Sequence, residues 1–393
     1  MFLPILLFWL SVALIGYTFI GFTLILMVRG LIFPRPYQPD DSYTPSVSMV
    51  ISAYNEAQTI ETKLKNILDL DYPAEKIEAI VASDGSDDGT DAIVARYEGE
   101  IIKSLPLQRV GKAAALNAAV EASSGDILVF SDANSLYDKR AIRMLVRPLA
   151  DPQIGGVAGD QRYVTSVDST GNTGERGYWN FDRLLKELES RGGNVISATG
   201  AIYAIRRSLF MGVPEGVTDD FATSTRVIMQ GYRLVFERDA IAYEPVAKSE
   251  QREFGRKVRI MTRGLTAVVV NRALLNPFRH GFYAIQLFTH KVLRRLMYIP
   301  LIIIFLVNPF LLGSGIFYIL TMLAQLGFYG AALAGWLAQQ RGIRIPKPMT
   351  IPMYACMVYI AAIIASWNIV RGHRITYWTT ARGSRESSST TID

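Results

Sequence analysis

Apolar and polar positions follow two regimes along this chain. Residues 2–28 carry no charged side chain, enough to cross a bilayer as a helix. Arg29 and Arg35 follow at once, and the positive-inside bias then places the next segment in the cytoplasm. A cleaved signal peptide is the rival reading, but no basic n-region precedes this start and its apolar core is long. Between residues 45 and 250 short β-rich apolar runs alternate with amphipathic helical segments, the pattern of an α/β domain with a mostly parallel sheet covered by helices. Residues 47–53 predict the first strand, and Ile60, Leu64, Ile67 and Leu68 fall on one face of the helix after it. Further strands are expected at 77–83, 127–131, 201–205 and 233–236. Helices are expected over 113–122, around Trp179, Phe181, Leu184 and Leu185, and from Thr218 to about Met229.

Beyond residue 251 the regime changes again. An amphipathic, interfacial stretch at 251–295 precedes three apolar runs, 296–312, 316–337 and 351–370, which with the first gives four expected spans. Arg341, Arg344 and Lys347 put the loop between the last two in the cytoplasm. Arg371, Arg374, Arg382 and Arg385 favour the same side for the tail, which conflicts with an odd number of C-terminal spans. The final residues, 386–393, are rich in Ser and Thr and read as disordered. The expected organisation is therefore 1–30 as a membrane helix, 45–250 as the cytoplasmic domain, 251–295 as interfacial helices, 296–370 as further spans and 371–393 as tail.

Composition sharpens this picture. Half of the 393 residues are apolar, an excess that the spans explain. The net charge of +6 comes largely from basic residues between 252 and 295, beside the spans, where anionic headgroups attract them. Membrane lipids are thus expected partners and nucleic acid is not. Cys356 is the single cysteine, which excludes an intrachain disulfide and a cysteine metal site. His280, His290 and His373 lack metal-ligand spacing, so imidazole chemistry is not expected.

The candidate chemistry lies in three acidic stretches: Ser83-Asp84-Gly85-Ser86-Asp87-Asp88, Ser131-Asp132-Ala133-Asn134 and Thr218-Asp219-Asp220. Asp84 and Asp132 follow strand-like runs and so belong at the carboxyl ends of parallel strands, where open α/β sheets bind ligands. A single Asp there is as often a cap or turn former. Three in order favour a divalent cation such as Mg2+ or Mn2+, which takes oxygen ligands and shares a substrate phosphate. Lys112 opens a helix whose N-terminus also attracts an anion.

These residues resemble those of the membrane-bound family 2 glycosyltransferases, which include synthases of chitin oligosaccharides, hyaluronan, cellulose and poly-N-acetylglucosamine and glycolipid-forming relatives. The likeness rests on Tyr54-Asn55-Glu56, Ser83-Asp84-Gly85-Ser86, Gly111-Lys112, Ser131-Asp132-Ala133-Asn134, Gly200 before Arg206-Arg207, and Thr218-Asp219-Asp220. It implies a GT-A-like domain and an inverting transfer from a nucleoside diphosphate sugar, chiefly a UDP-sugar, to a glycan or lipid acceptor at the cytoplasmic membrane. By resemblance, Tyr54, Asn55, Glu56, Asp84 and Lys112 bind the donor, Asp132 holds the metal with Asn134 in place of a second carboxylate, and Gly200 and Trp179 face the acceptor. Asp220 matches the base and Asp219 its neighbour. Processive members carry Gln-x-x-Arg-Trp; here Arg259 takes the arginine position, with Arg256 and Ile260 replacing the glutamine and tryptophan. A processive synthase that also translocates its polymer, an inactive binding homologue and a transporter are the alternatives. Loss of an acidic element would mark the second, and charges within the spans the third.

Overall fold

The computed structural model describes residues 2–164, 173–245, 250–343 and 346–372. Eight strands form one sheet: β1 (Val47–Ala53), β2 (Ile77–Asp84), β3 (Ile102–Leu107), β4 (Ile127–Asp132), β5 (Leu136–Tyr137), β6 (Ile154–Val164), β7 (Tyr203–Arg206) and β8 (Arg233–Pro245). Their spatial order is β3-β2-β1-β4-β7-β6-β8-β5. β1 pairs in parallel with β2 and β4, and β2 with β3. Only β7 and β5 run against their neighbours. The registers Ala53↔Ser83 and Ser52↔Asp132 bring the ends of β1, β2 and β4 to one edge, so Asp84 and Asp132 emerge side by side.

Helices α1 (Phe2–Gly16) and α2 (Phe22–Ile32) precede the sheet. Within it fall α3 (Ile60–Leu68), α4 (Thr90–Ala95), α5 (Lys112–Glu121), α6 (Ala141–Val146), α7 (Thr173–Gly192) and α8 (Asp219–Met229). Period-2 side chains divide β1 between two cores. Val47, Met49 and Ile51 pack with Ile60 and Leu64 of α3 and Ile142 and Leu145 of α6, all buried. Val50 faces the opposite core, with Leu116 and Ala119 of α5 and Phe221 of α8. That second core continues into α9 (Glu250–Val270) and, past the exposed α10 (Pro277–His280), into α11 (Phe282–Leu287), and Ala267, Val268, Tyr283 and Leu287 of α9 and α11 are buried in it. The helices after the sheet are therefore packed parts of the domain.

Four strands depart from expectation: β3, β5 and β6 were not foreseen, and β8 is longer than expected. β6 was hidden by Gly155, Gly156 and Gly159, residues that weaken strand propensity. Packing demands them: a Cβ on Gly155 would lie 2.6 Å from both Leu209 Cδ1 and Tyr232 Cβ. β8 extends to Pro245, well beyond Phe236: its register with β6 jumps from Gly159↔Glu237 to Asp160↔Ile241, which leaves Arg238, Asp239 and Ala240 unpaired, and the pairing then resumes. The helix expected around Leu184 is α7, and its Leu185 and Leu188 pack on Phe22 and Leu26 of α2. The side chain of Trp179 lies outside the described residues.

Of the four expected spans, three stand clear among the described residues, since Phe2–Ile32, Ile316–Gln340 and Pro348–Val370 are each long and apolar enough to cross a membrane; the fourth depends on a bent helix pair. α12 (Tyr298–Val307) belongs to a pair, Phe282–Leu296 with Tyr298–Ser314, bent by 47°. Pro300 has no N–H to return to Leu296, so the hydrogen-bond ladder breaks there. α13 (Ile316–Gln340) and α14 (Lys347–Val370) complete the chain. The tail beyond 372 and Arg344 lie outside the described residues.

Candidate active site

The sheet edge is built from two interlocked loops. After β1, Asn55 adopts φ +53°, a left-handed conformation that asparagine tolerates. Its Oδ1 accepts from Asp87 N at 3.0 Å, and its own N–H donates to Ser86 Oγ at 3.1 Å. Glu56 N donates to Thr90 Oγ1, and Glu56 Oε2 accepts from Thr59 Oγ1. Tyr54-Asn55-Glu56 is thus held by the Ser86–Thr90 segment.

Asp84 ends β2 fully buried. Its Oδ1 accepts from Val110 N at 2.7 Å and Gly111 N at 2.8 Å, and its Oδ2 from Arg109 Nη1 at 2.8 Å. The Arg109 guanidinium lies 3.2 Å from the centroid of the Tyr54 ring. Gly85, at φ +68°, permits this approach, since a Cβ would fall 2.8 Å from Arg109 N. Both oxygens of Asp84 therefore carry protein donors, and they shape the loop that presents Tyr54, Arg109 and Lys112. Arg109 was missed in the sequence because no motif spacing marks it.

Lys112, the first residue of α5, joins the other two acidic stretches. Its Nζ lies 2.9 Å from Asp132 Oδ1 and 3.1 Å from Asp219 Oδ2. Burial disfavours its ammonium, but Asp132 and Asp219 outweigh burial and hold its pKa above the usual lysine range. The Asp132 side chain keeps 34% exposure, and Gly200 comes so close that a Cβ would stand 3.1 Å from Asp132 Oδ2. Asn134 is half-buried two residues on.

Asp220 sits in the first turn of α8 beside Asp219. Its Oδ1 accepts from Phe221 N at 2.7 Å. Its pKa is pushed up to about 6, first by burial and then by the charge of Asp219, against Lys291, the Phe221 N–H and Lys112. A carboxylate so poised suits proton abstraction near neutral pH. Lys291 was not foreseen: it comes from the Phe282–Leu296 segment, with Nζ 5.9 Å from the Phe221 ring centroid. α9 reaches this region through Arg263, whose Nη2 donates to Val217 O at 2.6 Å. Arg259, one turn earlier, has its pKa lowered by burial and by Arg263 and Arg256, which makes these three a positive cluster.

Residues 48–213 match the family described as glycosyl transferase family 2. A poly-beta-1,6-N-acetyl-D-glucosamine synthase of Staphylococcus aureus (strain COL) is 29% identical over 209 residues, 51% of this chain and 48% of that protein. A probable glycosyltransferase of Bacillus subtilis, YdaM, is 29% identical over 216 residues, 51% of this chain and 50% of its own. The chain thus spans about half the length of the curated relatives it matches. A mannosyltransferase from Pyrobaculum calidifontis, solved with GDP-Man and Mn2+, superposes with a TM-score of 0.70 at 26% identity, covering 93% of this chain and 99% of that one. Sheet order, site and likeness agree: residues 48–213 are a family 2 glycosyltransferase domain of GT-A-like fold.

Proposed function

We propose that the protein is an inverting membrane glycosyltransferase. It moves a sugar from a nucleoside diphosphate sugar, most simply a UDP-sugar, to an acceptor hydroxyl at the cytoplasmic membrane face, forming a β-linked glycan or glycolipid. The observation that carries this reading is the raised Asp220 carboxyl beside the Asp132–Lys112–Asp219 chain of charges. Asp220 takes the acceptor proton as the acceptor oxygen bonds to the anomeric carbon. The bond from that carbon to the diphosphate oxygen breaks, and the nucleoside diphosphate leaves with the electron pair. Lys112, and Arg259 from α9, offset the charge that develops on it. Tyr54, Asn55 and Glu56 receive the nucleoside beside the Arg109 loop that Asp84 organises. Gly200 stands on the acceptor side.

The donor set also fits a hard divalent cation. Among the described residues no three acidic, His or Cys side chains gather into a closed cage. Asp132 is part-exposed and offers carboxylate oxygens, with an amide oxygen at Asn134, the sparse protein share expected when phosphates and water complete the shell. Bound there, Mg2+ or Mn2+ would neutralise the diphosphate. The Pyrobaculum calidifontis enzyme was solved with Mn2+, which supports this choice. The Staphylococcus aureus relative is named as a polymer synthase and favours the second reading, a processive synthase; Arg256 and Ile260 in place of glutamine and tryptophan count against it.

The test is release of nucleoside diphosphate by the purified protein in nanodiscs, with Mg2+ or Mn2+, across UDP- and GDP-sugars, beside Asp220→Asn. Turnover with one donor that requires metal, is lost in the variant, and yields a sizeable product supports the reading and separates glycolipid from polymer. No release with any donor sinks it.

A further inference from the structure

A lysine without solvent lies beneath the Asp132 loop. Lys63, in α3, is 0% exposed. Its Nζ donates to Ser131 Oγ at 2.7 Å and to Ser135 O at 2.5 Å, and stands 4.1 Å from the centroid of the Tyr137 ring. These contacts bracket Asp132 and Asn134 from both sides. None is a carboxylate; Asp132 and Glu244 act on the ammonium only through space, while burial pulls its pKa down to about 7.

The rest of the loop is held with similar care. Asn66, also in α3, accepts from Tyr137 N at 2.7 Å and donates to Tyr137 O at 2.8 Å. Glu244 of β8 accepts from Ser135 Oγ and from Gln161 Nε2, each at 2.6 Å. An ammonium is a costly way to fill a buried slot. A methionine has nearly the same length and would fill the slot without burying a charge, but it could not serve Ser131 Oγ and Ser135 O. Packing alone therefore does not account for a lysine here.

We infer that Lys63 is a positioning residue: bonded to Ser131 and Ser135, its ammonium sets the orientation of Asp132 and Asn134 toward the donor's diphosphate. This rests on the reading of Asp132 and Asn134 given above. α3 begins just after Tyr54-Asn55-Glu56, so one helix supports both the nucleoside loop and the loop that faces the phosphates.

The test compares Lys63→Met and Ser131→Ala with wild type in nanodiscs, by thermal unfolding, by calorimetric titration of UDP and GDP in the presence of Mn2+, and by separate KM values for donor and acceptor. Lys63→Met is expected to weaken nucleoside diphosphate binding tenfold or more at temperatures well below its own unfolding. Donor KM should rise in parallel, with acceptor KM unchanged. Ser131→Ala, which removes one acceptor of the buried ammonium and little volume, should weaken binding about threefold when read well below its unfolding, with a lower melting temperature because a buried donor loses its partner; it keeps the test informative if Lys63→Met does not fold. Unchanged affinity in Ser131→Ala and in any folded Lys63→Met overturns the inference while leaving the donor site standing. So does a loss of affinity that appears only where the variant has begun to unfold. If wild type binds neither nucleotide, the reading of Asp132 itself falls, and the inference with it.

Discussion

Lowering the pH from 7 to 5 should cost about tenfold in kcat/KM, because a carboxyl poised near 6 is about nine-tenths ionised at the first pH and about one-tenth at the second. The base works in its ionised form, so activity is present above its pKa and lost as pH falls through it. A carboxyl at the ordinary 3.8 would stay mostly ionised at pH 5 and give a nearly flat profile. The raised value has named causes, burial and Asp219, and named opponents, Lys291, the Phe221 N–H and Lys112.

The opponents supply the sharper perturbation. Lys291→Met removes a cation that favours the Asp220 anion, so the acid limb should move to higher pH, by up to about one unit, equivalent to about 1.4 kcal/mol of interaction. Asp219→Asn removes the repelling anion, and the limb should move the other way. The assay is nucleoside diphosphate release at constant ionic strength between pH 5 and 9, with subsaturating donor so that kcat/KM is read directly. A flat wild-type profile between pH 5 and 7 refutes the assignment of Asp220 as base. A limb that moves down in Lys291→Met refutes the electrostatic account of its pKa.

Three further outcomes follow from close contacts. Gly200→Ala puts a Cβ 3.1 Å from Asp132 Oδ2, so donor KM should rise several-fold with little change in melting temperature; unchanged kinetics would show that the loop yields freely. Asp84→Asn leaves Arg109 without its buried anion and disturbs the two amide bonds, which should cost about 2–3 kcal/mol in denaturant unfolding. An unchanged midpoint would mean that the Arg109 loop is not held this way. Gly155→Ala drives a methyl against Leu209, Tyr232 and Val227 and should destabilise by about 1–3 kcal/mol through overpacking, read as a lower midpoint at constant slope.

Much of this architecture was legible because strand and helix periodicities report one face at a time. β1 was found at its observed bounds, since Val47 to Ala53 is an unbroken buried run with both faces covered. The placement of Asp84 and Asp132 at one edge followed from parallel order alone. β6 was lost because its glycines answer to the neighbours across the sheet, Leu209 and Tyr232, and local pattern carries no trace of them. Residues 296–312 were read as a straight span of their own, apart from the interfacial stretch before them, because hydropathy counts apolar residues and is blind to the missing amide of Pro300 and to the 47° bend that joins the two helices.

The site divides in the same way, between what a residue is and what faces it. A motif places a carboxylate at the sheet edge, but its chemistry depends on which donors reach it from elsewhere. Asp84 and Asp132 occupy equivalent strand ends, yet Asp84 is enclosed by Arg109, Val110 and Gly111, while Asp132 keeps a third of its side chain open. The difference lies in the chain after β3, which folds its amides over one acid and sends Lys112 beside the other. Lys63 and Lys291 show the converse. Neither belongs to an acidic motif, and each brings a positive charge to one, the fully buried Lys63 from α3 and the part-buried Lys291 from the bent helix pair. In a site assembled from so many elements, the carboxylates and the motif-borne Lys112 can be read from sequence, and cations that arrive from elsewhere, Lys63 and Lys291, have to be seen in place.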